Sequence, residues 1–160
     1  MRKMHGFSML ELVIVILVVA ILAVMPFYNW PGKVINLDAQ AKLFADDIRY
    51  TQALAMSKTD RYRIVKSSLT SYQILNSAGA SLQFPSGNTT ETLNSGLSFG
   101  AWTNITNNLI AFDGRGTPYL DTSTPGTALV FGTTYSIVIT GGSNTKTITI
   151  SPTTGRVVVQ

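Results

Sequence analysis

The sequence contains no cysteine and one histidine, His5. The first absence excludes disulfide frameworks, thiolate metal sites and thiol nucleophiles. Loss of the first six residues would remove the histidine as well, and with it serine–histidine catalysis, histidine metal ligation and histidine pH switching. Charge is sparse, at 12% of residues, with a formal net charge of +4. Two of the cations, Arg2 and Lys3, fall in the first six residues, so the rest carries ten basic and eight acidic side chains, a net charge of +2. A surplus that mild is weak evidence for a nucleic-acid partner. No cofactor or metal site is expected. A chain of 160 residues suffices for one modest domain and one appended element.

What is present is unevenly distributed. From Phe7 to Tyr28 the sole charge is Glu11, whereas from Ser57 onward the chain is rich in Thr, Ser, Gly and Asn with short apolar runs between them. Wound as a helix, the 22 residues of the apolar run reach about 33 Å, enough for a hydrocarbon core of about 30 Å. Arg2 and Lys3 precede the run and only Lys33 follows closely, so a single pass with a cytoplasmic N-terminus and an external head is expected. An ordinary secretory signal would be cut after its apolar run. Here the better junction lies before it.

The residues Met4-His5-Gly6-Phe7-Ser8-Met9-Leu10-Glu11-Leu12-Val13 resemble the processing motif, the class III leader, of type IV pilins and type II secretion pseudopilins. The resemblance implies cleavage by a prepilin peptidase between Gly6 and Phe7, N-methylation of Phe7, and an assembly role for Glu11, fifth in the processed chain. Ser8 and Met9 replace the commoner threonine and leucine. A carboxylate at the centre of a membrane helix costs about 2.5–3.5 kcal/mol. Near the headgroups the side chain can snorkel, and a helix N-terminus favours negative charge, which explains how Glu11 is tolerated. Its purpose, on the resemblance, is to meet the Phe7 ammonium of a neighbouring subunit and set axial register in an apolar filament core.

Pro26 and then Pro31-Gly32 are expected to kink or interrupt the helix, because proline lacks an amide donor and crowds the preceding turn; Tyr28 and Trp30 suit an interfacial aromatic belt. Helical periodicity resumes from Ile35 to Met56, with Leu37, Ala41, Phe44, Ile48 and Ala55 on one face and Asp38, Lys42, Asp46 and Arg49 on others. Asp46-Asp47 reads as solvated surface, since adjacent helical residues diverge by about 100°. Strands are expected over 62–66, 72–75, 82–84, 109–112, 135–139, 147–150 and 157–159. Hairpins are expected at Gly141-Gly142-Ser143-Asn144 and Ser151-Pro152-Thr153-Thr154-Gly155. Ile137, Ile139, Ile148 and Ile150 are core candidates. The stretches 85–108 and 113–134 read as polar connections, where partner specificity could sit. The sequons at Asn88 and Asn104 are assigned no role.

The expected fold is therefore α+β: a long N-terminal helix packed on an antiparallel β-sheet head. Residues 1–6 form the leader, 7–28 the membrane and filament-core helix, 29–56 its continuation after the break, and 57–160 the β-rich head. The Ala- and Gln-containing helix, the Phe112-Asp113-Gly114-Arg115-Gly116 loop and the Ile150-to-Val157 hairpin resemble the minor pilin and minor pseudopilin group named for GspH and FimT. The resemblance implies a structural or assembly subunit of a type IV pilus or type II secretion filament, not an enzyme. Its partners would be the peptidase, other pilin or pseudopilin subunits, an inner-membrane assembly platform and the lipid bilayer. The head would lie in the periplasm until assembly into a periplasmic or extracellular filament. Two other readings are a major pilin forming the shaft and a DNA-uptake receptor using Arg115, Lys146 and Arg156. Three scattered cations are not the concentrated patch that phosphate contacts require. The Asp113–Gly116 loop also lacks the GK[ST] ending of a phosphate loop.

Overall fold

The structure, a computed structural model, describes residues 8–28, 32–121, 123 and 126–160. The chain divides into two units, Met1–Gly32 and Lys33–Gln160.

In the first unit, α1 runs from Met9 to Tyr28. The Leu12 amide donates to the Ser8 carbonyl at 3.1 Å, closing the opening turn. Every described side chain from Met9 to Ala23 is exposed, and apart from Glu11 all are apolar, so the helix has no polar face to turn toward water. Pro26 lies within α1, which continues to Tyr28. A missing donor at position 26 removes one bond, and only two residues remain to be carried beyond it. Trp30 and Pro31 lie outside the described residues. Among the described residues no helix is long and apolar enough to cross a membrane. The apolar run from Phe7 to Tyr28 is longer than the stretch of described side chains, which ends at Ala23.

The helix α2 spans Gly32–Lys58, all but its first residue in the second unit. Leu37, Ala41, Phe44, Ala45, Ile48 and Ala55 are all at most 1% exposed, the stripe that helical periodicity predicts. The helix stops at Thr59, which takes the left-handed conformation at φ 52°, while the Asp60 amide donates back to the Ala55 carbonyl at 3.3 Å. This is the six-to-one bond of a Schellman ending.

Among the described residues ten short strands follow: β1 Tyr62–Lys66, β2 Ser71–Leu75, β3 Ser81–Leu82, β4 Glu91–Thr92, β5 Leu97–Thr103, β6 Leu109–Phe112, β7 Pro118–Tyr119, β8 Tyr135–Gly141, β9 Asn144–Ile150 and β10 Val157–Val159. They form two sheets in place of the one meander expected. The first is ordered β3-β2-β1-β6-β7, with β4 also on β2; the second is β10-β9-β8-β5. All pairings are antiparallel. Between β8 and β9 the register pairs Gly141 with Asn144, leaving Gly142-Ser143 as a two-residue turn with Gly142 at φ 65°. Phe44 joins the sheets: its ring lies 4.7 Å from Tyr72 of β2 and 5.0 Å from Phe99 of β5, both edge-on.

The 85–108 stretch is not an unpatterned connection. It contains β5, seven residues long, and β4, while 113–134 contains β7. The alternation in β5 is broken because its register with β8 shifts between Phe99 and Trp102, so core-facing residues fall three apart. Gly100 sits in that irregularity, where a Cβ would lie 3.4 Å from the Val138 side chain. The expected strand at 82–84 is only Ser81–Leu82; Phe84 is buried from the loop beyond it.

Candidate functional site

Gly6 and Phe7, the expected processing junction, lie outside the described residues. Glu11 occupies the first turn of α1, with its side chain exposed. One turn in from a helix N-terminus, the carboxylate faces the positive end of the backbone dipoles.

A second set of functional candidates gathers along the outer flank of α2. Asp38 accepts from two ammonium groups, Lys42 at 2.7 Å and Lys146 of β9 at 3.1 Å. The Lys42 and Lys146 hydrogen bonds hold the Asp38 carboxyl below its ordinary range. Arg49 contacts Asp46 at 2.5 Å and donates through Nη2 to the Val157 carbonyl at 2.8 Å. That carbonyl is at the sheet's edge. β10 is the outer strand of the second sheet, and its pairing to β9 runs through Arg156 and Gln160. By the alternation of antiparallel bonding, Val157 and Val159 direct their backbone groups the other way. A groove of about 580 Å³ follows this edge, lined by Lys42, Asp46, Arg49, Arg156 and the three valines of β10.

One turn further along α2, Gln52 Nε2 donates to two carbonyls at 2.8 Å each, Gly116 and Thr154. It thereby clasps together the Asp113–Gly116 loop and the 151–156 turn, the two segments whose sequence suggested the family. Glycine is required there. At Gly155, with φ 64°, a Cβ would lie 2.6 Å from Gln52 Nε2, 2.9 Å from Phe112 Cε1 and 3.0 Å from the Gly116 carbonyl. The loop is stiffened from within, since Asp113 Oδ1 accepts from the Arg115 and Thr117 amides at 2.9 Å each. Burial opposes ionisation of Asp113, but those amides outweigh it and keep the carboxyl below its ordinary value.

Arg115 and Arg156 thus sit on adjoining loops, both exposed, whereas Lys146 is engaged with Asp38. The structure brings two of the three sequence-selected cations to neighbouring turns and ties the third into an ion pair. Lys42, Arg49 and Gln52 were not singled out as site residues. Only the polar flank of the helical pattern hinted at them.

Asp47 corrects a further expectation. It is 6% exposed, not solvated, and its Oδ2 accepts from the Tyr72 hydroxyl at 2.6 Å. Burial pushes its carboxyl up to about 6, with Glu91 and Asp46 adding to the rise and the Tyr72 hydrogen bond opposing it. Burial and the carboxylate together raise the Tyr72 phenol as well. Asp46, its neighbour on the helix, is exposed as expected.

Residues 1–25 match the family described as the prokaryotic N-terminal methylation motif. The chain carries the class III leader of the type IV pilins. The fold agrees with that leader. Solved structures similar to this pilin-like chain include the type IV minor pilin FimU of Pseudomonas aeruginosa in two crystal forms. They are 15% and 16% identical, with TM-scores of 0.54 and 0.53, covering 78% of this chain and 87% and 92% of theirs. The minor pseudopilin EpsH from the type 2 secretion system of Vibrio cholerae is 11% identical with a TM-score of 0.55, over 78% of this chain and 96% of its own. No curated protein sequence matches the chain. At these identities the shared property is the α+β fold.

Proposed function

We propose that this pilin-like chain is a minor structural or assembly subunit of a type IV pilus or type II secretion filament. The observation that carries the reading is one of combination: an N-terminal methylation motif over residues 1–25 and a head with the fold of minor pilins and a minor pseudopilin. Either alone is weaker. In this reading prepilin peptidase cuts between Gly6 and Phe7, Phe7 is N-methylated, and the apolar helix holds the protein in the inner membrane by a single pass, head outward. An assembly platform then transfers it to the filament. There α1, apolar around its whole circumference, exchanges lipid for the helices of other subunits. Glu11 meets the Phe7 ammonium of a neighbour, a pairing that removes two charges from an apolar medium together. No catalytic role is assigned to any residue.

Mass analysis of the protein from its native membrane tests the reading. The expected product lacks residues 1–6 and carries one added methyl group on Phe7. A mature terminus beyond residue 25 would identify an ordinary signal peptide and refute the proposal.

A further inference from the structure

Lys42, Asp46 and Arg49 form one row along α2, and Leu43, Asp47 and Tyr50, each one residue on, form a second row about 100° round the helix. The second row borders a pocket of about 280 Å³ closed on its other side by Phe84, Pro85, Ser86 and Glu91. Leu43, Tyr50, Phe84 and Pro85 make the lining mainly apolar, and among the described residues no lysine, arginine or histidine belongs to it. The wall beyond the helix is anchored in the core. The Phe84 ring stands edge-on to Tyr72 at 5.4 Å, and the Phe84 amide donates to the Asn88 carbonyl at 2.8 Å.

Two carboxylates line this apolar space without a cation. Asp47 is 6% exposed; the Tyr72 hydroxyl occupies its Oδ2, and Oδ1 has no donor among the described residues. Glu91 is set beside it, with Oε1 accepting from the Ser86 hydroxyl and its backbone held opposite Tyr72 by the pairing of β4 with β2. The two charges are near enough to interact, since Glu91 adds to the rise of the Asp47 carboxyl. Asp46 also lines the pocket but is paired with Arg49, whereas among the described residues neither Asp47 nor Glu91 is in an ion pair. A buried carboxylate without an opposite charge is unfavourable, and a cation supplied from outside relieves it. The walls define that cation. A guanidinium is weakly hydrated, lies against aromatic faces and donates to more than one carboxylate at once. A metal ion gains nothing from apolar walls, and among the described residues no three ligating side chains are grouped to hold one. Leu43 is 50% exposed beside the pocket, an apolar surface that a protein partner covers and a small free cation leaves wet.

We propose that this pocket receives an arginine side chain from a different subunit of the filament, its guanidinium meeting Asp47 and Glu91 and its stem lying against Leu43, Tyr50 and Phe84. The contact rests on the filament-subunit reading and gives it a recognition surface on the head. It needs no second copy of this chain, in keeping with a minor subunit. An arginine seated among aromatic and aliphatic walls is a usual interface anchor, and here its charge meets carboxylates that the fold itself leaves without a cation.

The full chain, purified in detergent, is titrated with N-acetyl-arginine amide and with its neutral, equally shaped citrulline analogue while backbone amide resonances are followed. The arginine probe should shift the amides of Leu43, Tyr50, Ser86 and Glu91 and saturate with a Kd of roughly 1–10 mM, and the citrulline probe should not. Asp47→Asn with Glu91→Gln keeps both side-chain shapes and should weaken binding roughly tenfold or more, with thermal unfolding showing a head no less stable than wild type. At pH 5 a carboxyl that titrates at about 6 is about one-tenth ionised, so affinity should fall roughly tenfold from its value at pH 8. Asp46, Tyr50, Tyr72 and Glu91 are the titratable groups around Asp47, and Glu91→Gln alone separates the share of Glu91 in that fall. No shift, an equal response to citrulline, or binding that survives the double variant overturns the pocket as a cation site. In native cells the double variant should be recovered in sheared filaments roughly tenfold less than wild type with membrane levels unchanged, and normal recovery overturns a filament subunit as the source of the arginine. Wild-type protein missing from sheared filaments counts separately against the filament reading, and the arginine titration then decides the pocket by itself.

Discussion

At the scale of single residues, two carboxylates stand in opposite circumstances. Glu11 is exposed on an apolar helix, and Glu11→Leu removes its charge without altering the length of the run. Leucine is favoured over glutamate in a bilayer by a few kcal/mol, so insertion and leader removal should be intact. Assembly should fail if Glu11 has the proposed pairing role, because the Phe7 ammonium of a neighbouring subunit would then be left unpaired in an apolar core. Leader removal is read by mass, retention by membrane fractionation, and assembly by recovery in sheared filaments against competing wild type. Normal recovery would reject the charge pairing, and failed cleavage would move Glu11 to peptidase recognition. Asp47 is buried, and its folded value of about 6 lies above the ordinary 3.8. Between those values the native state keeps a proton that the unfolded chain has released, so stability falls as pH rises through the interval and stays reduced above it. Asp47→Asn keeps an acceptor for Tyr72 and removes the charge. It should stabilise the head by about 1–3 kcal/mol at pH 8, and the difference should close below about pH 4, as thermal unfolding across pH will record.

At the scale of elements, the amphipathic stripe of α2 and the alternating isoleucines of β8 and β9 were legible in the sequence because each side chain's burial follows from its own period. Ile137, Ile139, Ile148 and Ile150 are all at most 1% exposed. The strand β5 was hidden for the converse reason. A bulge places Trp102 three positions after Phe99, out of step with the alternation, and the glycine and alanine between them resemble a loop. The second sheet's separation from the first was equally invisible, since nothing in a strand's own residues names its partner. At the candidate site, Gly6, Phe7 and Glu11 were recognisable as a linear motif. The clasp at Gln52 was not, because both its acceptors are backbone carbonyls, 64 and 102 residues away. Gln52→Ala should release the Asp113–Gly116 loop from the 151–156 turn and cost about 1–3 kcal/mol, the sum of two hydrogen bonds. Faster amide exchange confined to those two loops would check it; unchanged exchange would mean that the glycine contacts alone hold them.

At the scale of the whole molecule, the second unit, Lys33–Gln160, contains both sheets and every residue of the buried cluster. A chain beginning at Lys33 should therefore fold alone as a soluble monomer with mixed helix and sheet in circular dichroism. Its thermal unfolding should be cooperative, and a gradual transition would show that α1 is needed for the fold.

The bond from Arg49 to the Val157 carbonyl has a bearing on proteostasis. An outermost strand with vacant backbone groups is a template on which any passing extended chain can continue the sheet, and three consecutive valines are a favourable place to begin. Arg49 covers the template with a charged group that also bonds its first carbonyl. Arg49→Ala should leave the melting temperature of the head within a few degrees of wild type, since only one partly exposed hydrogen bond and the exposed ion pair with Asp46 are lost. Concentrated solutions of the variant should nevertheless turn cloudy on storage and bind amyloid dyes while the parent stays clear. On the proposed reading, in which copies are held in a membrane before assembly, the residue that keeps neighbouring sheets from merging protects the pool from which filaments are drawn.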